Sequence, residues 1–243
     1  MIFIAQGKLE RAKETFEQSL KIAPNDVFSI SELVKISYKQ KNIAEANKIA
    51  KHALLLHPKS EKILRINFEL NPNDESMLRI KEVFEADKKN IAIVLLLAEV
   101  QIKLSKFKNA LATLANISPS IESPKKYWQM LLIANNKLNN HGQVEMLLEQ
   151  WVKTNPYHIE PVMFLVNALA EKRKFERAIT IANNAVEYHE NSLPLKLVKV
   201  ELLLSTGQAV LARESYKELQ NEEVKKEFKQ GVLGRIYLIE KNY

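Results

Sequence analysis

The sequence predicts an all-α protein, a solenoid of about six full helix-turn-helix repeats with a half repeat at each end. Three observations predict it. The 243 residues include only 5 glycines and 8 prolines, too few for the hairpins, bulges and phosphate loops of sheet-rich or dinucleotide-binding folds. Small residues recur at one interval: Ala12 and Ala46 are 34 positions apart, Ala110 and Ala178 twice 34, Ala178 and Ala212 again 34. Residues that cap helix N-termini, Asp26, Ser60, Asn90 and Ser192, close the repeats in the same phase.

The phase lays out the elements in order. A partial unit covers 1–26; complete units follow at 27–60, 61–90, 91–124, 125–158, 159–192 and 193–226; a partial unit covers 227–243. Shifting the segment from Gly7 to Asp26 by 34 places Ala12 on Ala46, Phe16 on Ala50 and Pro24 on Pro58. The 61–90 unit is four residues short. Its first helix is expected to end near Leu70, where Asn71-Pro72-Asn73-Asp74 turns the chain and caps the next helix, with a local kink in the stack. Val144 takes the alanine slot of the 125–158 unit, and Phe175-Glu176-Arg177-Ala178 and Ala209-Val210-Leu211-Ala212 restate the pattern later. Pro161 and Pro194 fall just inside helix starts, where proline costs nothing. Gly7 and Gly207 fall in the turn between paired helices, where a left-handed residue ends the first. Ile2, Phe3 and Ile4 at one end, and Ile236, Leu238 and Ile239 at the other, look like interior residues. The chain is therefore expected to be a piece of a longer array, since solenoids end in helices with a polar outer face.

Ala12-x3-Phe16 with Pro24, Trp128-x2-Leu131, and Leu233-Gly234-x2-Tyr237 resemble parts of the tetratricopeptide repeat (TPR) pattern. The resemblance covers essentially the whole chain. It implies a right-handed TPR superhelix whose concave groove is lined by first helices, at slots 2, 5, 9, 12 and 13 of each unit. In this sequence those slots supply Phe28, Ser31, Lys35, Tyr38 and Lys39, then Arg65, then Glu99 with Lys103, and Gln129 and Asn136 with Lys126. Later units supply Met163, Asn167 and Glu201. The resemblance implies a protein–protein interaction scaffold that takes a peptide or partner segment in this groove. The TPR clamp for acidic chaperone tails wants Lys or Arg at slot 5 and Asn at slot 9; Ser31 and Lys35 stand there instead, so that partner is not expected. Two alternatives are a self-assembling structural module associating through its solenoid ends and, from a looser likeness in style of repeat to bacterial TPR lipoproteins of exosortase (PEP-CTERM) sorting, an accessory role in envelope sorting or exopolysaccharide export.

Composition narrows the rest. Formal net charge is +7, but only seven of the 36 basic residues are arginine and the lysines alternate with glutamate along nearly every helix. Nucleic acid is not expected as a partner, because phosphate recognition favours clustered Arg forks. The absence of cysteine removes thiol chemistry. The five histidines lack metal-ligand spacing, and no phosphate loop or nucleophile motif occurs. No metal, cofactor or enzymatic activity is expected. No apolar run reaches the ~18 residues that span a bilayer, and Met1 to Lys8 does not read as a signal peptide; a cytoplasmic or a bacterial periplasmic setting would both fit. Trp128 and Trp151 are expected as packing residues.

Overall fold

A computed structural model describes residues 8–120, 122–219 and 224–241. Ile2, Phe3, Ile4 and Gly7 lie outside the described residues. Every regular element among the described residues is an α-helix: α1 (Leu9–Ile22), α2 (Val27–Lys39), α3 (Ile43–Leu56), α4 (Glu61–Leu70), α5 (Asp74–Ala86), α6 (Ile91–Lys103), α7 (Phe107–Leu114), α8 (Lys125–Lys137), α9 (His141–Thr154), α10 (Ile159–Glu171), α11 (Phe175–His189), α12 (Leu193–Ser205), α13 (Ala209–Lys217) and α14 (Lys226–Lys241). None is long and apolar enough to cross a membrane. The chain divides into two compact units, Met1–Ser118 with Ser123–Leu138, and Pro119–Glu122 with Asn139–Tyr243. The division falls inside the expected 125–158 repeat.

In the first unit α1 to α8 form two layers. The first helices of the repeats pack side by side, α2 on α4, α4 on α6 and α6 on α8, while α1, α3, α5 and α7 each pack on the first helices flanking them. Ala12, Ala46 and Ala110 are buried where these helices meet, and a methyl side chain is what lets two helix axes approach closely. The short repeat uses Ser76 in that slot, 30 residues after Ala46 and 34 before Ala110. Ser76 is buried, and its hydroxyl donates to the Asn71 carbonyl at 2.5 Å, so a polar atom replaces the methyl without being left unmet.

The four-residue deficit is divided between two helices. Helix α4 has 10 residues where α2 has 13, and α5 has 13 where α3 has 14. Asn73 caps α5 through a reciprocal box with Ser76. Helix α4 thus loses most of a turn and still packs on both α2 and α6. Helix α6 shows why the longest apolar run is no membrane span: Ile93 to Ala98, Val100 and Gln101 are all buried, because α4, α5, α7 and α8 surround it.

In the second unit α10, α12 and α14 form one layer and α9, α11 and α13 the other. Ala178, Ala182 and Ala212 are buried, while Val144 is half-buried. The Trp151 ring stacks on Phe164 with centroids 6.1 Å apart. Ile236 is buried as expected, but Leu238 is 64% exposed: within α14 these two positions are about 200° apart around the axis, and only Ile236 faces the neighbouring helices.

Capping follows the residue types. Asp26 accepts from the Ser29 amide at 2.8 Å, Asn90 from Ile93 at 3.3 Å and Ser192 from Leu195 at 3.4 Å. Ser60 precedes α4 without a side-chain capping bond. The turn between paired helices repeats a left-handed residue: Lys41 (φ 62°), Ser105 (58°), Asn139 (58°), Arg173 (57°) and Gly207 (73°). Gly207 takes the left-handed place expected of it, and the other four turns use non-glycine residues. A left-handed L-residue costs about 1–2 kcal/mol, partly offset because glycine costs roughly 0.5–1 kcal/mol more chain entropy on folding. Replacing Lys41, Ser105 and Arg173 by glycine is expected to stabilise the protein by about 0.5–1 kcal/mol per site. Urea unfolding followed by circular dichroism checks this; a lower midpoint in the triple variant would contradict it.

Candidate partner-binding surface

In the first unit the sequence-predicted residues fall along the layer of first helices and separate into two chemical regions. At α2 and α4 the surface is unsatisfied. Phe28 is 43% and Tyr38 52% exposed. The Phe28 ring meets Phe16 edge-on at 6.0 Å, and the Lys62 ammonium lies 4.3 Å from its centroid, close enough for a cation–π attraction. About two turns further along, Val34, Ile66 and Leu70 floor a cleft of about 200 Å³ rimmed by Lys35, Tyr38, Lys39 and Glu69. Lys35 pairs with Glu32 at 2.8 Å. Lys39 and Glu69 have no hydrogen-bond or ion-pair partner among the described residues.

Around Glu99 the surface is already satisfied. Arg65 reaches from α4 to Glu99 at 2.6 Å and holds Glu61 at 2.5 Å; Lys103 comes from the same helix as Glu99 at 3.0 Å, and Lys126 from α8 at 2.5 Å. Arg65 and Glu99 are 34 residues apart, so the repeat itself sets the reach. Partial burial alone would raise the Glu99 carboxyl, but hydrogen bonds from Lys126, Arg65 and Lys103 outweigh it and hold the group at about 2, below the usual 4.5. These charges tie three helices to one another.

Several expectations therefore change. Ser31 is fully buried, and its hydroxyl donates to the Val27 carbonyl one turn back at 2.5 Å, so it presents nothing to a partner. Arg65 and Glu99 are committed to their own network. Gln129 is half-buried and Asn136 exposed on α8. In the second unit Met163 is half-buried and Asn167 exposed on α10, and Glu201 pairs with Arg235 of α14 at 2.6 Å, again 34 residues away. The slot rule could have found two residues it was not applied to: in the short repeat, slots 2 and 9 are Lys62 and Glu69, both at the α2–α4 surface.

The other layer of the second unit carries its own cluster. Lys172, Lys174 and Arg177 converge on Glu145 of α9 at 3.0, 2.8 and 2.6 Å, and Arg177 also binds Glu149. Hydrogen bonds from Lys174 and Lys172, then Arg177, hold Glu145 at about 2 against the upward push of desolvation. His189 sits 2.9 Å from the Pro156 carbonyl at the end of α11, a contact within the fold. Among the described residues no three acidic or imidazole side chains are placed to share a metal ion.

No family model matches the sequence, and no curated protein matches it. Solved structures do. A tetratricopeptide repeat protein from Parabacteroides merdae matches with a TM-score of 0.51 at 16% identity, over 97% of this chain and 94% of that one. The fold is of the TPR type. PilW, a type IV pilus biogenesis factor, matches with a TM-score of 0.51 at 17% identity, over 85% of this chain and 98% of its own. A chain of the Naa15/Naa10 complex bound to HypK-THB gives 0.54 at 20% identity over 97% of this chain, which spans only 37% of that protein's length. At these identities the likeness carries fold and no more, because one fold serves many functions.

Proposed function

We propose that this TPR-type chain is a protein-interaction scaffold whose first unit binds an extended partner segment across α2 and α4. The observation that carries the reading is the contrast along one layer: an apolar cleft with exposed Tyr38 and, beside it, Lys39 and Glu69 unpaired among the described residues, next to a stretch where Arg65, Lys103 and Lys126 are engaged by Glu99. An apolar side chain of the partner would fill the cleft over Val34, Ile66 and Leu70. Lys39 and Glu69 would fix its register, and Phe28 with Lys62 would extend the contact toward the start of α2. Exposed aromatic anchors beside a small desolvated pocket are where binding energy concentrates.

The test is a pull-down from the source cell with wild type, a Tyr38→Ala/Lys39→Glu variant and an Asn136→Ala variant. The double variant is expected to weaken capture of the partner about tenfold or more, a loss of about 1.4 kcal/mol, with unchanged helix content, while Asn136→Ala leaves it intact. Equal capture by all three would remove the reading. Arg65 is unsuited to this test, since reversing it would also break the Glu99 network.

Self-association is a second reading, favoured by the exposed Val210, Leu211, Tyr237 and Leu238 of α13 and α14. Sedimentation over a hundredfold concentration range decides it; a constant monomer mass would exclude it.

A further inference from the structure

A different face of α4 closes a larger and more polar cleft. Between α3 and α5 the first unit encloses about 690 Å³, within the range typical of ligand sites, about 300–1,000 Å³. The comparable spaces between α5 and α7, and between α11 and α13 in the second unit, hold about 330 and 180 Å³. The cleft lies beside the end of the shortened α4, where the chain turns away at Asn71 three residues earlier than a 13-residue helix would.

The residues of this cleft point to a ligand. Asn67 is 8% exposed and lines the space, yet among the described residues its side-chain amide has no hydrogen-bond partner. Its amide atoms are not among the buried polar atoms without a partner; they face the solvent of the cleft, where a ligand's polar group can take the place of water. Beside it Asn71 donates to the Asn47 side-chain oxygen at 2.8 Å, and Asn47 donates in turn to the Ile43 carbonyl at 3.0 Å. That chain fixes Asn71 and leaves its own side-chain oxygen without a partner among the described residues. Lys51 on the α3 wall has no ion-pair partner among the described residues; Arg79 on the α5 wall pairs at 3.1 Å with Glu75, which also lines the cleft, so Lys51 leaves the lining one positive charge in excess. Leu54 and Leu55 complete the α3 side, with Leu55 81% exposed.

We propose that this cleft is a second binding site, for an extended acidic peptide segment. A side-chain amide presents an N–H and a C=O on one edge, the complement of the N–H and C=O that a single residue of an extended segment shows on one side, so Asn67 pairs with the ligand main chain. Lys51 and Arg79 attract a carboxylate, and the two leucines take an apolar neighbour. The site is separate from the α2–α4 surface and stands or falls without it.

The test uses the whole ¹⁵N-labelled chain and two pools of N-acetylated, C-amidated tetrapeptides, one with a fixed aspartate and one with a fixed asparagine, the remaining positions randomised over small and apolar residues. Titration with the aspartate pool is expected to shift the Asn67 side-chain amide signals. Apparent affinity should fall about fivefold or more for the asparagine pool and for Lys51→Glu, should vanish in Asn67→Leu, and should be unchanged in Lys153→Glu, an exposed lysine of α9 outside both surfaces. Circular dichroism confirms that each variant is folded. No shift at Asn67 up to millimolar peptide, equal response to both pools, or sensitivity to Lys153→Glu in place of Lys51→Glu would overturn the proposal. So would a stronger response to a neutral oligosaccharide than to either pool.

Discussion

Replacing Trp128 by alanine is expected to destabilise the protein by about 3–5 kcal/mol, the range for deleting a large aromatic from a core. Trp128 is the largest side chain with no exposure at all. It stands in the first turn of α8, which packs on both α6 and α7, and Tyr127 meets its ring edge-on at 5.2 Å. Removing it leaves a void that three helices would have to close by moving together, and well-packed interiors relax only partly. Domains have only about 5–15 kcal/mol in total, so the loss is a large share of what holds the unit. In urea the midpoint should fall by roughly 1 M or more, taking a slope of about 1–3 kcal/mol per M. Trp128→Phe should lose less than half as much. A shift within error for alanine would mean that α8 is not part of this core.

Glu99→Lys is the next largest effect, expected at about 3 kcal/mol, with Glu99→Ala near 2 kcal/mol. These values lie between the 0–1 kcal/mol of exposed pairs and the 3–5 kcal/mol for breaking a buried one, as suits a side chain 19% exposed. The reason is geometric. Arg65, Lys103 and Lys126 approach from α4, α6 and α8, and without the carboxylate three cations face one another across the helix layer. The pH dependence follows from the depressed carboxyl. Its folded value of about 2 lies below the ordinary 4.5, so its stabilisation is fully present above pH 4.5 and is lost as pH falls toward 2. Glu145 has the same sign and window. Wild type and Glu99→Gln should therefore differ most near pH 6 and converge toward pH 2 in urea unfolding. A difference that grows on acidification would contradict the network.

The helical fold was legible because each repeat restates the same physical requirements. Buried alanines mark where helices meet, and Asp26, Asn90 and Ser192 cap the helices that follow them. The surface was less legible, because a slot gives direction and not company. Ser31 has a groove slot, but a short hydroxyl on a helix satisfies itself on the preceding turn. Arg65 and Glu99 have groove slots too, and one 34-residue step brings them together. Left-handed turns also escaped the glycine signal: Lys41, Ser105 and Arg173 accept the strain, and no residue type announces that. The Asn67 cleft lies beside the shortened α4, and its trace in sequence was the four-residue deficit and the asparagines around it.

The central claim is that the partner segment lies across α2 and α4. The most direct measurement is site-specific photo-crosslinking in the source cell, with a benzophenone side chain at position 38 and, as comparison, at position 211. Position 38 is expected to yield a crosslinked partner whose amount falls sharply when Lys39→Glu is added, while position 211 yields none of it. The same partner captured from position 211, or capture at 38 indifferent to Lys39→Glu, would place binding elsewhere and contradict the account.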